Sequence, residues 1–397
     1  MMSLNDTPRA NRLHIGLFGK RNSGKSSLIN ALTGQEIAIV SPYAGTTADP
    51  VFKSMELHPI GPVVFIDTAG FDDEGELGKL RVEKTKEAVK KTDIAILLFT
   101  DTDLEKEKLW YKDLKKQNVP VIGIINKSDV LENIEEIKEA VQKNFDIMPE
   151  IVSAVDKYGM DRVRNALVRN IPEDYEMKSI TGEFAKEGDV VLLVMPQDIQ
   201  APKGRLILPQ VQTIRDLLDN SCIPICTTAD KLDSALNALK NPPKLIITDS
   251  QCFAIVQEKK PEESLLTSFS VLFAAYKGDI EAFQEGAQAV DHLNGNSKVL
   301  IAEACTHAPL AEDIGRVKIP RMLKQRFGEK LSVEVVAGID FPKDLSQYDL
   351  IVHCGACMFN RRYMMSRIES AKAQGVPITN YGVILAKLTG ILDKVMI

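Results

Sequence analysis

The sequence predicts an α/β protein of three domains, each built around a parallel or mostly parallel sheet. Short runs rich in β-branched residues alternate with amphipathic segments of helical length along most of the chain. Near-continuous apolar runs of this kind are typical of strands that are buried on both faces and joined by right-handed helical crossovers. A chain of 397 residues exceeds one ordinary core and fits two or three domains of about 150 residues.

The composition is that of an ordinary globular protein, with 44% hydrophobic and 26% charged residues, which argues against a disordered or fibrous chain. No apolar run approaches the roughly 20 residues of a membrane helix, and the first residues lack the apolar core of a signal peptide. We therefore expect a cytoplasmic protein without membrane contact and with reduced cysteines. The net charge of -6 argues against nucleic acid as a partner.

Polar stretches interrupt the alternation and divide the chain. The first domain covers residues 1–174 and is followed by a polar, poorly periodic stretch. The second covers 180–264 and the third 265–397. The segment 264–293 has apolar residues at helical spacing, which predicts a core or dimer-contact helix, with a ligand groove as the alternative. Strands of the first domain are predicted at 13–18, 63–66, 94–99, 121–125 and 151–153.

A glycine-rich loop follows the first predicted strand and opens a helix. Residues 19–26 read GKRNSGKS, which is the spacing of a P-loop. Glycines let the backbone fold around phosphates, while successive N–H groups and the helix N-terminus bind their charge. Lys25 is expected to reach the β- and γ-phosphate oxygens, and the Ser26 hydroxyl to ligate magnesium. The predicted phosphate-binding residues are Gly19, Asn22, Ser23, Gly24, Lys25, Ser26 and Ser27.

Residues 126–129 read NKSD and follow another predicted strand, and they indicate which nucleotide base the site recognises. The carboxylate of Asp129 can accept hydrogen bonds from N1–H and the exocyclic amine of guanine, a pair that adenine does not offer. Because a site built around such a partner can reject an analogue by about ten-thousandfold, GTP is predicted rather than ATP. Ser153 and Ala154, after the last strand of this domain, would complete the base pocket together with Asn126 and Lys127.

Two further segments are predicted to contact magnesium and the γ-phosphate. Asp67 and Gly70 follow the strand at 63–66, where the carboxylate would hold magnesium through water and the glycine N–H would sense the γ-phosphate. Thr46 and Thr47 lie in the preceding loop, the place of a switch segment that is ordered by γ-phosphate and magnesium. Catalysis is assigned to Lys25, Thr47, Asp67 and Gly70, and magnesium binding to Ser26 and Thr47.

Over residues 13–172 these motifs resemble the translation-factor-like GTPases, with the Era and tRNA-modifying subfamily most similar. Phe71 stands where Ras-like proteins place a water-orienting glutamine. Asn22 stands where relatives that use potassium instead of an arginine finger carry an asparagine ligand. The resemblance therefore implies slow intrinsic hydrolysis of GTP to GDP and phosphate, accelerated by potassium bound at Asn22 and by dimerisation.

Three of the six cysteines lie near the C-terminal end with metal-ligand spacing. Cys305 and His307 form a Cys-x-His element after one predicted strand, and His353, Cys354 and Cys357 form a His-Cys-x-x-Cys element after another. The two elements can converge because carboxyl ends of parallel strands share one edge of the sheet. Three thiolates with two histidines differ from the two short-spaced pairs of a structural zinc site. The pattern alone leaves a 4Fe-4S cluster, zinc and structural thiols open.

These elements, the run at 308–316, the acidic segment 72–78 and the GTPase motifs together resemble the HydF family of FeFe-hydrogenase maturation GTPases over essentially the whole chain. The resemblance implies a GTP-binding domain, a dimerisation domain and an iron-sulfur domain in that order. It implies a homodimeric scaffold that carries a diiron subcluster precursor from radical-SAM maturases to apo-hydrogenase. On this pattern a 4Fe-4S cluster is bound by Cys305, Cys354 and Cys357, with His307, His353 or a carboxylate such as Glu303 as candidate fourth ligand.

Two other classes of function compete with the scaffold. One is an RNA-modifying or ribosome-assembly GTPase with a structural metal domain, which the negative charge and the absence of a recognisable RNA-binding motif oppose. The other is a redox enzyme that uses the cluster for electron transfer, for which the sequence has no second cofactor motif. The scaffold is therefore the leading hypothesis.

Overall fold

A computed structural model describes residues 7–34, 50–68, 76–172, 175, 179–182, 184–195, 206–304 and 313–395, with the backbone alone at 76–81. The chain divides into two compact units, Met1–Met177 and Lys178–Ile397. Within the described ranges, no helix is long and apolar enough to cross a membrane.

The first unit contains a six-stranded sheet in the order β2-β3-β1-β4-β5-β6, in which β2 is antiparallel to β3 and the other pairs are parallel. The strands are β1 (Leu13–Gly19), β2 (Val51–Leu57), β3 (Gly61–Asp67), β4 (Ile94–Phe99), β5 (Val121–Ile125) and β6 (Glu150–Ile151). The α-helices are α1 (Lys25–Thr33), α2 (Glu76–Lys90), α3 (Glu105–Lys116), α4 (Ile134–Phe145) and α5 (Met160–Arg169).

Two separate cores explain why β4 is apolar at every position. Successive side chains of a strand point to opposite faces of the sheet. Ile94, Ile96 and Leu98 accordingly pack with α1 and α5, whereas Ala95, Leu97 and Phe99 pack with α3 and α4. The predicted doubly wound, mostly parallel sheet is confirmed, and it brings the carboxyl ends of β1, β3, β4 and β5 to one edge.

The second unit contains two four-stranded parallel sheets, in the orders β10-β9-β7-β8 and β12-β11-β13-β14. The strands are β7 (Val190–Val194), β8 (Ile223–Thr227), β9 (Leu245–Thr248), β10 (Leu265–Ser268), β11 (Lys298–Glu303), β12 (Ser332–Ala337), β13 (Leu350–His353) and β14 (Ile378–Asn380). The α-helices are α6 (Leu208–Asp219), α7 (Leu232–Asn237), α8 (Phe253–Lys259), α9 (Phe269–Lys277), α10 (Ile280–Gln288), α11 (Ile319–Phe327), α12 (Arg361–Ala373) and α13 (Tyr381–Leu388). Residues from both sheets share one hydrophobic core.

The single helix predicted over 264–293 is wrong, because two caps divide this segment into β10, α9 and α10. The Ser268 hydroxyl accepts a hydrogen bond from the N–H of Val271 and starts α9. The Asp279 carboxylate accepts one from the N–H of Ala282 and starts α10. Such side-chain acceptors satisfy backbone donors that a helix leaves free at its N-terminus. The predicted boundary at 264/265 consequently falls just before β10, which completes the first sheet of this unit.

Candidate functional site

The P-loop joins β1 to α1 through residues with left-handed backbone conformation. Asn22 has φ 59° and Gly24 has φ 88°. A Cβ atom at Gly24 would lie 2.2 Å from Nδ2 of Asn126, so this position accepts only glycine without local rearrangement. Because Lys25 begins α1, the N-terminal N–H groups of this helix are directed at the loop, as anion binding requires.

The P-loop lysine bonds to its own loop. Nζ of Lys25 donates to the carbonyl oxygens of Gly19 at 3.0 Å and Lys20 at 2.9 Å. The buried hydroxyl of Ser23 has no hydrogen-bond partner among the described residues. A phosphate group fits this loop because it would supply an acceptor for the lysine and for the hydroxyl. Ser27 lies in the first turn of the same helix.

The two predicted magnesium-site residues that the structure describes are in contact. The Ser26 hydroxyl donates to Oδ2 of Asp67 at 2.6 Å, at the end of β3. Burial raises the pKa of Asp67, whereas the Ser26 hydrogen bond and the charges of Lys25 and Lys53 act to lower it. A hydroxyl and a carboxylate held together at the mouth of a P-loop are the oxygen donors that magnesium prefers.

The base-recognition segment also braces the P-loop. Nδ2 of Asn126 donates to the carbonyl of Ser23 at 2.9 Å, and its Oδ1 accepts from the N–H of Ala154 at 3.2 Å. Asn126 thus connects the phosphate loop with the segment that holds Ser153. Lys127 has φ 67°, and the Asp129 side chain is exposed, where a base could reach it. The structure thus brings Asn126 into contact with both Ser23 and Ala154.

Acidic residues at the β4–α3 connection, which were not predicted as part of the site, contact Lys20 of the P-loop. Nζ of Lys20 donates to Oδ1 of Asp101 at 2.7 Å and to the Asp103 carbonyl. Glu107 is 1% exposed, and burial raises its pKa to about 7. The only sequence signals for this cluster are a lysine inside the P-loop and the DTD run at residues 101–103.

Thr46, Thr47 and Gly70, which were predicted to contact magnesium or the γ-phosphate, lie outside the described residues.

The second group of predicted ligands lies at the carboxyl ends of β11 and β13, which are neighbours in their sheet. Cys354 follows β13, and its Sγ accepts a hydrogen bond from the N–H of Ala304 at 3.0 Å. Ala304 directly precedes Cys305 in the chain. The structure therefore brings the two strand ends together within hydrogen-bond distance. Cys357, like Cys354, is partly buried.

His353 is completely buried, and both of its ring nitrogens are engaged. Nδ1 lies 2.9 Å from the Cys354 carbonyl oxygen, and Nε2 lies 3.0 Å from Nη1 of Arg367. Burial and the Arg367 charge lower the His353 pKa to about 3, so the imidazole is neutral at physiological pH. A ring nitrogen that accepts from a guanidinium is not free to bind a metal in this arrangement.

Glu303, the candidate carboxylate, ends β11 and is 3% exposed. Its Oε2 accepts from Nε of Arg316 at 3.0 Å and from Nη2 at 2.9 Å. Its Oε1 accepts from the Tyr381 hydroxyl at 3.4 Å, and burial together with nearby negative charge raises the pKa of that tyrosine well above its ordinary value. A metal at Oε1 would therefore compete only with the Tyr381 hydroxyl among the described residues, whereas Oε2 already accepts two hydrogen bonds.

Cys305 and His307 lie outside the described residues. No group of three potential metal ligands occurs in the described part of the chain, which contains two of the three predicted cysteines.

Of the remaining cysteines, Cys222 and Cys252 are buried and Cys226 is exposed. Arg367 and Asn380, whose amide donates to the Cys354 carbonyl at 3.3 Å, were not predicted from the sequence.

The fold and the P-loop site define a P-loop GTPase domain that is followed by two further α/β domains. Residues 14–127 match the family model described as 50S ribosome-binding GTPase. Residues 180–278 match the hydrogen maturase F dimerization domain, and residues 281–397 match the hydrogen maturase F tetramerization domain. The chain belongs to the hydrogen maturase F family. The resemblance noted from the sequence is thereby confirmed.

The curated relatives match a smaller part of the chain. The tRNA modification GTPase MnmE of Janthinobacterium sp. (strain Marseille) is 37% identical over 191 residues, which are 47% of this chain and 40% of the relative. GTPase Der of Wolinella succinogenes is 38% identical over 143 residues, 34% of this chain and 29% of the relative. The chain thus spans two fifths or less of these relatives' length. A solved structure of Era from Aquifex aeolicus has a TM-score of 0.36 and 20% identity, covering 54% of this chain and 92% of that one.

Proposed function

We propose that this protein is a GTP-hydrolysing scaffold of FeFe-hydrogenase maturation that holds a 4Fe-4S cluster and delivers a diiron subcluster precursor to apo-hydrogenase. Radical-SAM maturases would supply the precursor, and a homodimer or larger assembly would be the working form, as the two hydrogen maturase F domain descriptions suggest. The single observation that carries the cluster assignment is the hydrogen bond from Ala304 to Cys354, because it joins the two strand ends that bear the cysteines.

GTP and magnesium are supported by the arrangement of the first unit. Lys25 would exchange its two loop carbonyls for phosphate oxygens, and Ser26 would exchange Asp67 for magnesium. Asp129 would read guanine, with Ser153 and Ala154 closing the base pocket. We assign Thr46, Thr47 and Gly70 to the γ-phosphate and Asn22 to potassium. Because Phe71 stands where Ras-like proteins carry a water-orienting glutamine, GTP hydrolysis would be slow without potassium.

The thiols fit a cluster better than a closed zinc site. Cys305, Cys354 and Cys357 would hold three irons, which leaves the fourth iron with a weak or exchangeable ligand. Of the two candidate histidines, His353 has both nitrogens engaged, so His307 becomes the preferred one. Glu303 could bind through Oε1 in competition with the Tyr381 hydroxyl, while Oε2 stays paired with Arg316. The cluster would supply an anchoring point for the diiron cargo. The chain's own residues hold the sulfurs in place.

An RNA-modifying or ribosome-assembly GTPase is the competing function. The MnmE and Der relatives cover the N-terminal half or less, where GTPases of many functions agree. The remaining matched residues, 180–278 and 281–397, carry hydrogen maturase F descriptions. The scaffold therefore accounts for more of the chain than the RNA-directed alternative does.

The decisive experiment is anaerobic coexpression with the two radical-SAM maturases, purification, and incubation with apo-hydrogenase. Hydrogen evolution should appear with the wild-type protein and be lost in Cys305→Ser, Cys354→Ser and Cys357→Ser. Cys226→Ser is the matched control, because this exposed cysteine lies in the other sheet of the same unit and should leave activation unchanged. If the wild-type protein binds a cluster with visible sulfur-to-iron absorption but never activates the hydrogenase, the scaffold proposal is wrong.

A further inference from the structure

Helix α12 buries an arginine that has no carboxylate partner in the described part of the chain. Arg367 is 3% exposed. Its guanidinium carbon lies 4.6 Å from the ring centroid of Phe359, 4.7 Å from that of Phe341 and 5.0 Å from that of Tyr363. Aromatic faces attract a desolvated cation, yet a buried charge without a counter-ion remains costly. We therefore expect this buried charge to be balanced by a nearby anion or to serve a function.

The hydrogen bonds of Arg367 determine the state of His353. Arginine can only donate, so Nε2 of His353 must be the acceptor of the 3.0 Å bond from Nη1. The ring proton then lies on Nδ1, which donates to the Cys354 carbonyl oxygen at 2.9 Å. Nη2 of Arg367 also donates to the Gly338 carbonyl, which fixes the guanidinium against the turn after β12. Arg367 and His353 thus form a directed relay that ends at Cys354.

Cys354 is held on its backbone and on its sulfur. Its carbonyl accepts from His353 and from the Asn380 amide, and its Sγ accepts from the N–H of Ala304. Asn380 is itself oriented, because its Oδ1 accepts from the Ser270 hydroxyl at 3.0 Å and from the N–H of Gly382 at 2.8 Å. These contacts fix the backbone of Cys354 and orient its sulfur toward the end of β11.

We propose that Arg367 is a positioning residue for the thiolate site: it makes His353 a hydrogen-bond relay to Cys354 rather than a metal ligand, and it supplies the buried positive charge that balances the thiolate-bound cluster. This inference rests on the cluster assigned under the proposed function. A cluster bound by three thiolates carries negative charge, and reduction adds one more electron to it. A fixed cation nearby in a low dielectric therefore favours the reduced state and raises the reduction potential.

Two substitutions distinguish the effect of the Arg367 charge from the effect of its hydrogen bond to His353. Arg367→Lys keeps a positive charge but lacks the planar fork that reaches His353 and Gly338 together. Arg367→Met removes the charge and fills the aromatic cage with an apolar chain of similar length, a change that folded proteins often tolerate at buried ionic sites. Lys372→Met is the matched control, because it removes a cation from the exposed side of the same helix. Circular dichroism checks the folding of each variant.

The first measurement uses full-length protein without a cluster. Imidazole nitrogen chemical shifts should identify the Nδ1–H tautomer of His353 in the wild-type protein and in Lys372→Met, and a mixture of tautomers in both Arg367 variants. A dominant Nε2–H tautomer in the wild-type protein would overturn the relay, whether or not a cluster can be assembled. This measurement therefore remains informative if the proposed function fails.

The second measurement is an anaerobic redox titration of the reconstituted full-length protein, followed by electron paramagnetic resonance at equal iron content. The midpoint potential should shift to a more negative value in Arg367→Met and stay near the wild-type value in Arg367→Lys and Lys372→Met. Equal potentials in wild type and Arg367→Met would show that this arginine does not balance the cluster. A wild-type protein that binds no cluster would instead refute the proposed function.

Discussion

The nucleotide site and the thiolate site both lie at the carboxyl ends of parallel strands, but they are held in different ways. At the nucleotide site, Lys25 bonds to its own loop and Ser26 bonds to Asp67, so the groups that would bind GTP and magnesium now bind each other. At the thiolate site, Cys354 is held through its carbonyl by His353 and Asn380, which need not move when its sulfur binds a metal. GTP and magnesium would replace the contacts of the first site, whereas a metal at Cys354 would leave the carbonyl contacts of the second site in place.

This difference predicts where substitutions act. Changes at the nucleotide site should alter ligand affinity and specificity, because its residues would contact the proposed ligand directly. Changes behind Cys354 should instead alter the properties of a bound group, because His353 and Asn380 contact the cysteine carbonyl and Arg367 acts through His353. Substitutions of Asp129, Glu107, Gly24 and Asn22 test the first expectation, and the Arg367 variants test the second.

The largest effect is expected for Asp129→Asn. An amide can accept only one of the two hydrogen bonds that guanine offers and leaves a donor unpaired, so GTP affinity should fall by about a thousandfold or more. Xanthosine triphosphate, which has a carbonyl where guanine has the amine, should bind better than it does to the wild-type protein. Titration with fluorescent nucleotide analogues measures both affinities. Glu132→Gln, which alters an exposed carboxylate three residues further on, should bind GTP normally. Unchanged GTP affinity in Asp129→Asn would remove Asp129 from the base pocket.

The next effect concerns the acidic cluster behind the P-loop. Burial raises the pKa of Glu107 to about 7 from a usual 4.5, while Lys20, Asp101 and Asp103 are the charged groups that face it. Between these two pH values the folded state holds a proton that the unfolded chain has released, so stability falls as pH rises through this window. At pH 8 the first unit therefore carries a cost of about 3 kcal/mol that Glu107→Gln should remove.

Trp110 makes this prediction measurable. It is the only tryptophan, and it is buried in α3 against Phe18. Its fluorescence during denaturant unfolding reports on the first unit. Glu107→Gln should raise the free energy of unfolding at pH 8 and leave it unchanged near pH 4.5. Glu105→Gln, on an exposed position of the same helix, should change neither value. A Glu107→Gln variant that gains nothing at pH 8 would mean that the carboxylate is paired or hydrated.

A smaller effect is expected for Gly24→Ala, which tests how tightly Asn126 braces the P-loop. Both Gly24 and Gly34 have left-handed backbone conformation, but a Cβ at Gly24 would lie 2.2 Å from Asn126, whereas a Cβ at Gly34 would meet no described residue within 4 Å. Gly34→Ala should therefore cost about 1 kcal/mol of backbone strain, and Gly24→Ala about 2 kcal/mol or more together with weakened GTP binding. Denaturant unfolding and nucleotide titration measure the pair. Equal costs would show that Asn126 moves aside freely.

The sequence predicts the nucleotide site more completely than the thiolate site because its motifs are local. A strand, a glycine-rich loop and a helix determine the positions of Lys25 and Ser26 without long-range information. β2 was missed because it is a partly exposed edge strand with a mixed pattern of polar and apolar residues. β10 was missed because Leu265, Leu266 and Phe269 fit both periods, and only the Ser268 cap decides between them. Arg367 was missed because nothing in the sequence marks which arginine will be buried beside His353.

The smallest effect, and the one most specific to the phosphate loop, concerns the monovalent cation. We expect GTP turnover to fall about fivefold when sodium replaces potassium, which corresponds to about 1 kcal/mol of transition-state stabilisation. Asn22→Gly keeps the left-handed backbone that φ 59° requires and removes the amide ligand, so its turnover should be low and equal in both salts. Phosphate release measured at constant ionic strength tests this, with Asn30→Ala in α1 as a control that retains the potassium effect. If wild-type rates are equal in potassium and sodium, Asn22 is a structural residue of the loop and the charge that develops on the phosphates is balanced elsewhere.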